Sequence, residues 1–92
     1  MASRHKVIYS DKANKQLGKL DAYQRKIIIA WISKNLVGTS NPRQHGKPLE
    51  ENLTGLWRYR VGDYRLIAEI VDDEVVITII KIGHRSKIYS QL

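Results

Sequence analysis

Cationic side chains at strand spacing stand out in the last third of the sequence. Arg58 and Arg60 are two residues apart, so on a β-strand they project from the same face. Arg65 follows directly after a Gly-Asp pair, which is typical of a tight turn. The next apolar strand ends in a compact polar group formed by His84, Arg85, Lys87 and Tyr89. Three short strands are expected to bring these side chains onto one strongly cationic surface beside an aromatic ring.

Such a surface suits phosphodiester chemistry on RNA. RNA carries its own nucleophile, the 2′-hydroxyl, so a protein needs only to take up that proton, neutralise the phosphate and protonate the 5′-oxygen. Arginine holds two phosphate oxygens at once but is a poor base. Histidine is the one residue type in the group that titrates near neutrality, which makes His84 the leading proton carrier. Tyr89 can stack on a base or donate to a phosphate.

The elements that must position this group follow from the hydrophobic pattern and the capping residues. Residues 5–9 read as a short strand, and Ser10 then opens a helix. Asp21, with Gln24 three residues later, resembles a capping box for a second helix that stops near Gly38. Residues 38–55 have no sustained period and form a long loop or an irregular cover for a sheet edge.

Three strands are predicted at 56–61, 64–71 and 75–82, joined by the short turns Gly62-Asp63 and Asp72-Asp73. The predicted fold is therefore α+β in the order β-α-α-β-β-β. Two N-terminal helices pack over a small, mainly antiparallel sheet, and a short C-terminal segment follows. Residues 1–92 are expected to form a single domain.

Composition narrows the functional classes. Sixteen basic against nine acidic residues give a net charge of +7, which favours a polyanion or an acidic protein as partner. With no cysteine, a disulfide scaffold and a thiolate zinc site are excluded. No Walker loop, dinucleotide fingerprint or metal-ligand spacing is present, so neither a metal nor a cofactor is predicted. The longest apolar run, Ile27–Ile32, is too short for a bilayer, and a cytoplasmic location is expected.

Further basic residues, including Lys87 of the polar group, are candidates for contacts with nucleic acid. Most of them lie on the two predicted helices, where they would engage phosphates. The set consists of Lys12, Lys15, Lys19, Arg25, Lys26, Lys34, Lys47, Lys81 and Lys87.

Three segments together resemble the RelE branch of the RelE/ParE toxin superfamily. They are Lys47–Leu49, Asn52–Ile67 and Lys81–Tyr89, and the order of the elements agrees over essentially the whole chain. The resemblance implies a toxin of a type II toxin–antitoxin system that cleaves mRNA in the ribosomal A site. The implied partners are mRNA, the ribosome with its rRNA, and a RelB-like acidic antitoxin. Operator DNA would be contacted only indirectly, through the antitoxin.

The resemblance also implies a role for each matching residue. Arg58 and Arg60 match the two basic residues that aid activation of the 2′-hydroxyl, and Arg65 matches the arginine that stabilises the transition state. Arg85 matches the arginine assigned to leaving-group protonation or phosphate stabilisation. Tyr89 matches the tyrosine that stacks on a base.

The sequence departs from the best-studied RelE pattern at Arg58 and Arg60, where that pattern has lysines. His84 resembles the C-terminal histidine of the related YoeB branch and is a candidate acid or base. The second interpretation is a ParE-like toxin that inhibits DNA gyrase without cleaving nucleic acid. A generic RNA-binding module is a third.

Overall fold

The computed structural model of the protein describes residues 3–49 and 55–89. The fold is α+β with two helices packed against the sheet, as the sequence predicts, and the mixed sheet has five strands, one short strand more than predicted. The elements are β1 (Lys6–Tyr9), α1 (Asp11–Lys19), α2 (Ala22–Asn35), β2 (Lys47–Pro48), β3 (Leu56–Val61), β4 (Tyr64–Val71), a 3₁₀ turn (Asp72–Glu74) and β5 (Val76–His84). Among the described residues, no helix is both long and apolar enough to cross a lipid bilayer.

Both helices begin at the capping residues that the sequence indicates. The Ser10 hydroxyl oxygen accepts from the Ala13 N–H at 3.0 Å, and the Asp21 carboxylate accepts from the Gln24 N–H at 2.9 Å. Each bond satisfies one of the backbone donors that a helix leaves unpaired in its first turn. The second helix ends at Asn35, slightly before the predicted stop at Gly38.

The sheet has the strand order β1-β5-β4-β3-β2. Strands β3, β4 and β5 are antiparallel neighbours, whereas β1 pairs with β5 in parallel. Beyond the end of β1, α1 runs along the same edge, and the Gln16 side-chain oxygen accepts from the Ile82 N–H at 2.7 Å. A side chain thus replaces the missing strand partner.

The hydrophobic core lies between the helices and one face of the sheet, here called the helix face. Ile28, Ile32 and Leu36 of the second helical segment join Tyr59 and Leu66 of the strands in this core. Side chains alternate along each strand, so every second residue of β3 and β4 points to the opposite side. That opposite side carries Arg58, Arg60 and Arg65, and it is called the arginine face below.

Three strand ends and one additional strand differ from the sequence-based expectation; β1 begins at Lys6 rather than at residue 5, and β5 ends at His84 rather than at residue 82. The predicted turn at Asp72-Asp73 is a longer 3₁₀ turn that ends at Val75 in the left-handed region (φ 56°), so β5 begins at Val76. The additional strand is β2, which pairs Lys47 with Arg58 inside the segment that the sequence presents as a loop. The part of the loop at residues 50–54, including the motif residues Asn52 to Thr54, lies outside the described residues.

Candidate functional site

The arginine face is built by the β3–β4 hairpin. Arg60 stands directly opposite Arg65 in the antiparallel register, and Arg58 stands opposite Ile67. Cross-strand partners share a face and have Cβ atoms about 5 Å apart, so two cationic side chains project from neighbouring positions on this face. Like charges in this position destabilise a sheet by up to about 1 kcal/mol.

These arginines are not neutralised within the part of the chain that the structure describes. Both ion pairs of residues 3–49 and 55–89 involve other arginines, Arg43 with Asp72 and Arg85 with Asp63. The Arg65 guanidinium instead donates from Nη1 to the Gly62 and Tyr64 carbonyl oxygens, each at 3.0 Å. The hairpin therefore keeps cationic charge that an anionic ligand can neutralise.

Arg43 shows what a neutralised arginine looks like in the same molecule. Its two terminal nitrogens donate to the two Asp72 carboxylate oxygens, both at 3.0 Å. The hydrogen bond and the charge of Arg43 lower the pKa of Asp72. This bidentate pair ties the loop after α2 to the 3₁₀ turn, which is a structural use of arginine.

Tyr89 lies against the first arginine of the hairpin. The Arg58 Nη1 donates to the Tyr89 hydroxyl oxygen at 3.1 Å, and 41% of the tyrosine remains exposed. A pocket of about 460 Å³ opens beside Arg58 and is lined by Lys47, Pro48, Leu49 and Arg58. The arrangement offers an aromatic surface, a cation and a space large enough for a nucleotide within one region.

Arg85 reaches the site at the Gly62-Asp63 turn. Its backbone N–H donates to the Asp63 carbonyl oxygen at 2.8 Å, and its side-chain Nε lies 3.5 Å from the Asp63 carboxylate. Since Arg65 also donates to this turn, one hairpin loop organises both arginines. Sequence reasoning missed the part of Asp63, although its place in a Gly-Asp turn next to the cationic strand is a visible signal.

His84 does not join the arginine face, contrary to the expectation of a single surface. It pairs with Tyr64 across the strands, on the helix face, and the two rings pack edge to face with centroids 5.6 Å apart. Its Nδ1 lies 2.8 Å from the Ser86 hydroxyl oxygen and 3.1 Å from the Ser86 backbone nitrogen, so the ring is tied to the turn after β5. Gly83 pairs with Arg65 and shares its face of the sheet. The next residue along the strand, His84, therefore points to the opposite face.

Lys81 also differs from its expected place on an RNA-contacting surface. It is only 3% exposed, and its ammonium donates to the Ile88 carbonyl oxygen at 2.7 Å. Burial, with a smaller contribution from the charge of Lys12, lowers the pKa of Lys81. This lysine therefore makes an internal bond and offers no charged group to a ligand.

The remaining basic candidates lie at three places. Lys47 is exposed on β2 next to the pocket, and Lys87 is exposed in the turn after β5. The others lie on the helices, on the opposite side of the sheet from the arginine face, and most are exposed; they are Lys12, Lys15, Lys19, Arg25, Lys26 and Lys34.

Side chains that could ligate a metal ion are scattered over the described part of the chain. Within residues 3–49 and 55–89, no three acidic or histidine side chains are grouped closely enough to hold a metal ion. His5 and His45, which had no predicted role, have structural contacts. His5 bonds to the Thr39 carbonyl oxygen through Nδ1, and the His45 ring packs against Trp31.

Comparison with known sequences identifies related toxins. Residues 7–89 match the profile of the ParE toxin of type II toxin–antitoxin systems, parDE. Toxin RelG of Mycobacterium tuberculosis is 30% identical over 83 residues, which cover 90% of this chain and 93% of RelG. Toxin RelE of the same organism is 44% identical over 50 residues, which cover 54% of this chain and 52% of that toxin.

Solved structures show the same fold. The toxin–antitoxin complex RelBE2 from Mycobacterium tuberculosis contains a chain with a TM-score of 0.81 and 28% identity, covering 89% of this chain and 99% of that one. The archaeal RelE–RelB complex from Pyrococcus horikoshii contains a chain with a TM-score of 0.69 and 26% identity, covering 95% of this chain and 99% of that one. The isolated RelE toxin of E. coli has a TM-score of 0.70 and 23% identity, covering 95% of this chain and 93% of that one. This likeness supports the fold alone.

The similarity extends over nearly all of the chain, including the arginine hairpin and the turn that carries Tyr89. It confirms the resemblance that the three sequence segments indicate. The chain therefore belongs to the ParE toxin family of type II toxin–antitoxin systems and is a toxin of the RelE and RelG type.

Proposed function

We propose that this toxin is a ribosome-dependent mRNA endonuclease that cleaves mRNA in the ribosomal A site without a metal ion. The observation that carries the proposal is the cross-strand pair of Arg60 and Arg65, which no described carboxylate neutralises. A fold that keeps two like charges opposite each other loses stability, and a bound phosphate would reverse that loss.

The chemistry would proceed by attack of the RNA 2′-hydroxyl on the adjacent phosphate. The 2′-hydroxyl loses its proton as a P–O bond forms to the 2′-oxygen, the bond to the 5′-oxygen breaks, and the departing 5′-oxygen gains a proton, so that one proton is moved from the 2′-oxygen to the 5′-oxygen overall. Arg60 and Arg65 would stabilise the charge that builds up on the phosphate oxygens. Arg58 would lie near the nucleophile, Tyr89 would stack on a base, and Arg85 would stabilise the phosphate or the leaving group.

His84 has a different position in this proposal from the one its residue type suggests. Because its ring lies on the helix face against Tyr64, it supports the end of β5. The chemistry of the site therefore rests on charge stabilisation by the arginines, and the ribosomal A site would supply further groups around the RNA.

The proposed protein partner is a RelB-like acidic antitoxin. The relatives from Mycobacterium tuberculosis and Pyrococcus horikoshii are toxin–antitoxin complexes, the latter of RelE with RelB. A net charge of +7 makes an acidic, amphipathic segment a complementary inhibitor. It would cover the arginine face or displace the turn that carries Tyr89, and any contact with operator DNA would be made through this antitoxin.

A translation reaction with purified ribosomes tests the proposed activity. Adding the toxin should create new mRNA 5′ ends within A-site codons, and omitting ribosomes should abolish them. The Arg65→Ala variant serves as the matched inactive control. If mRNA stays intact and the protein instead blocks DNA supercoiling by gyrase, the ParE-like alternative is correct and the nuclease proposal is wrong.

A further inference from the structure

A buried lysine lies on the arginine face, beneath the turn that follows β5. The register shifts between Ile67 and Ala68, so that Lys81 stands opposite Ile67 on the arginine face. Without this bulge, the strand period would place the lysine on the other side of the sheet. The bulge thus brings a long cationic side chain under the segment 85–89, here called the C-terminal turn.

Burying an ammonium is unfavourable unless it is hydrogen-bonded. Lys81 is 3% exposed, and its described hydrogen bond runs to the Ile88 carbonyl oxygen at 2.7 Å. Methionine or leucine at this position would fill the same space with no desolvation cost. The lysine is therefore explained better by the bond it makes to the C-terminal turn than by a contribution to stability.

The C-terminal turn is also fixed by one apolar contact. Ile88 is 1% exposed, yet it is not a member of the main core, because it packs on the arginine face. A Cβ atom at Gly83 would lie 3.1 Å from the Ile88 Cδ1, so the absence of a side chain at Gly83 leaves the space that Ile88 fills. The Ile88 carbonyl oxygen is thus held by Lys81 and its N–H by the His84 carbonyl oxygen at 3.0 Å, while its side chain packs on the surface around Gly83.

The residue after Ile88 is Tyr89, whose hydroxyl accepts from the Arg58 guanidinium at 3.1 Å. A change in the position of Ile88 moves Tyr89 with it, because the two residues are joined by one planar peptide unit. The geometry points to Lys81 as a positioning residue, a buried latch that holds the C-terminal turn so that Tyr89 stays against Arg58. This inference rests on the proposed nuclease function, in which Tyr89 contacts the RNA base.

The test compares Lys81→Met with Lys6→Met, an identical change at an exposed strand lysine outside the site. The free toxin is studied first, by the NMR signal of the Ile88 Cδ1 methyl group. Lys81→Met should move this signal towards its unfolded position, and Lys6→Met should leave it in place. The melting temperature of Lys81→Met should stay the same or rise, because a buried charge has been removed. An unchanged methyl signal in Lys81→Met overturns the latch.

Single-turnover cleavage on programmed ribosomes then tests the consequence. Lys81→Met should lower the rate by about ten- to a hundredfold, the loss typical of a displaced positioning group. In a Tyr89→Ala background, the same change should have little further effect, since the latch acts through Tyr89. A lysine with a merely structural role would lower the rate equally in both backgrounds, and that result overturns the proposal.

Ile88→Ala provides a second route to the same displacement. It keeps Lys81 but removes the apolar contact of the C-terminal turn, so the rate should fall and the fall should again depend on Tyr89. If Lys81→Met fails to fold, a full rate in Ile88→Ala overturns the positioning role. If the wild-type toxin cleaves no mRNA at all, the proposed function fails, whereas the methyl signal still decides whether Lys81 holds the turn.

Discussion

At the scale of single residues, Arg43 and Arg60 of this toxin differ in how their charge is neutralised. Arg43 is matched by Asp72 in a bidentate pair, whereas Arg60 faces Arg65 and has no described carboxylate partner. The first arginine stabilises the fold, and the second costs stability and leaves charge available. Replacing arginine by glutamine should therefore lower thermal stability at Arg43 and preserve or raise it at Arg60.

The Arg60→Gln variant should keep or gain thermal stability, since it relieves a like-charge pair that costs up to about 1 kcal/mol. Its single-turnover cleavage rate should fall by about a hundred- to a thousandfold, the typical loss for one group that stabilises transition-state charge. Arg43→Gln is the matched control and should lower the melting temperature while leaving cleavage intact. The assignment of Arg60 is wrong if both variants cleave at the wild-type rate.

The buried phenol of Tyr59 should make the free energy of unfolding depend on pH in the alkaline range. Burial raises its pKa to about 12, against about 10 in the unfolded chain. A group with a raised pKa contributes stability that is fully present below pH 10 and is lost as the pH rises through about 12. A shift of about two units corresponds to about 2–3 kcal/mol.

Urea denaturation between pH 9 and pH 11.5 measures this effect. The free energy of unfolding of the wild type should decrease more steeply than that of Tyr59→Phe, which has no phenol to ionise. The Phe variant also loses the hydrogen bond to the Pro42 carbonyl oxygen, so its curve starts lower at pH 9. Parallel curves for the two proteins would contradict the assigned origin of the pH dependence.

At the scale of elements, the loop after α2 fixes the strand that carries Arg58. The indole Nε1 of Trp57 donates to the His45 carbonyl oxygen at 2.6 Å, and the Tyr59 hydroxyl donates to that of Pro42 at 2.6 Å. Gly46 passes so close that an added Cβ would overlap the Arg58 carbonyl oxygen. The segment therefore positions the hairpin, which gives this irregular region a structural purpose.

Substituting alanine at Gly46 tests this close approach. Gly46 and Gly38 have nearly the same backbone angle, φ 79° and φ 77°, so alanine costs about 1–3 kcal/mol at either site for the angle alone. Nothing lies within 4 Å of a Cβ at Gly38, whereas Gly46 meets the backbone of β3. Gly46→Ala should therefore reduce the free energy of unfolding more than Gly38→Ala does, and only Gly46→Ala should slow cleavage. Equal reductions in urea titrations would show that the close approach is unimportant.

At the scale of the whole molecule, positive charge lies on both sides of the sheet. The arginine face presents the hairpin, and the helices on the other side carry Lys15, Lys19 and Lys26 in exposed positions. Under the proposed function the toxin would act inside the ribosome, where rRNA phosphates surround it and both sides of the sheet would contact nucleic acid. The two surfaces are expected to differ in function, with the helices contributing to affinity and the hairpin to chemistry.

Affinity for ribosomes should fall steeply as salt increases, because each lysine that binds an rRNA phosphate releases a counterion. Replacing Lys15 or Lys26 by Gln should reduce the slope of log affinity against log salt by about one for each lysine replaced. Lys6→Gln is the control from outside the proposed surfaces and should keep the wild-type slope. An affinity that does not change between low and physiological salt would show that the helix charges have another use.

Much of the hairpin was determined by the sequence itself. The two-residue period places Arg58 and Arg60 on one side, and the short Gly62-Asp63 turn makes Arg65 the partner of Arg60. The bounds of β3 and β4 agree with the prediction, as do the capping residues of both helices. These features depend on backbone angles and hydrogen bonds between residues close in sequence, which local patterns report directly.

Only the tertiary structure decided the places of β1, Lys81 and His84. The parallel pairing of β1 with β5 joins segments about seventy residues apart, and it is selected by burial of both strands under the helices. The bulge between β4 and β5 shifts the register, which buries Lys81 and gives the predicted RNA contact an internal role. The same pairing leaves His84 on the helix face beside Tyr64. The register between strands depends on contacts across the sheet, and a shift of one residue moves a side chain to the opposite face. The order of residues along one strand therefore cannot specify the register.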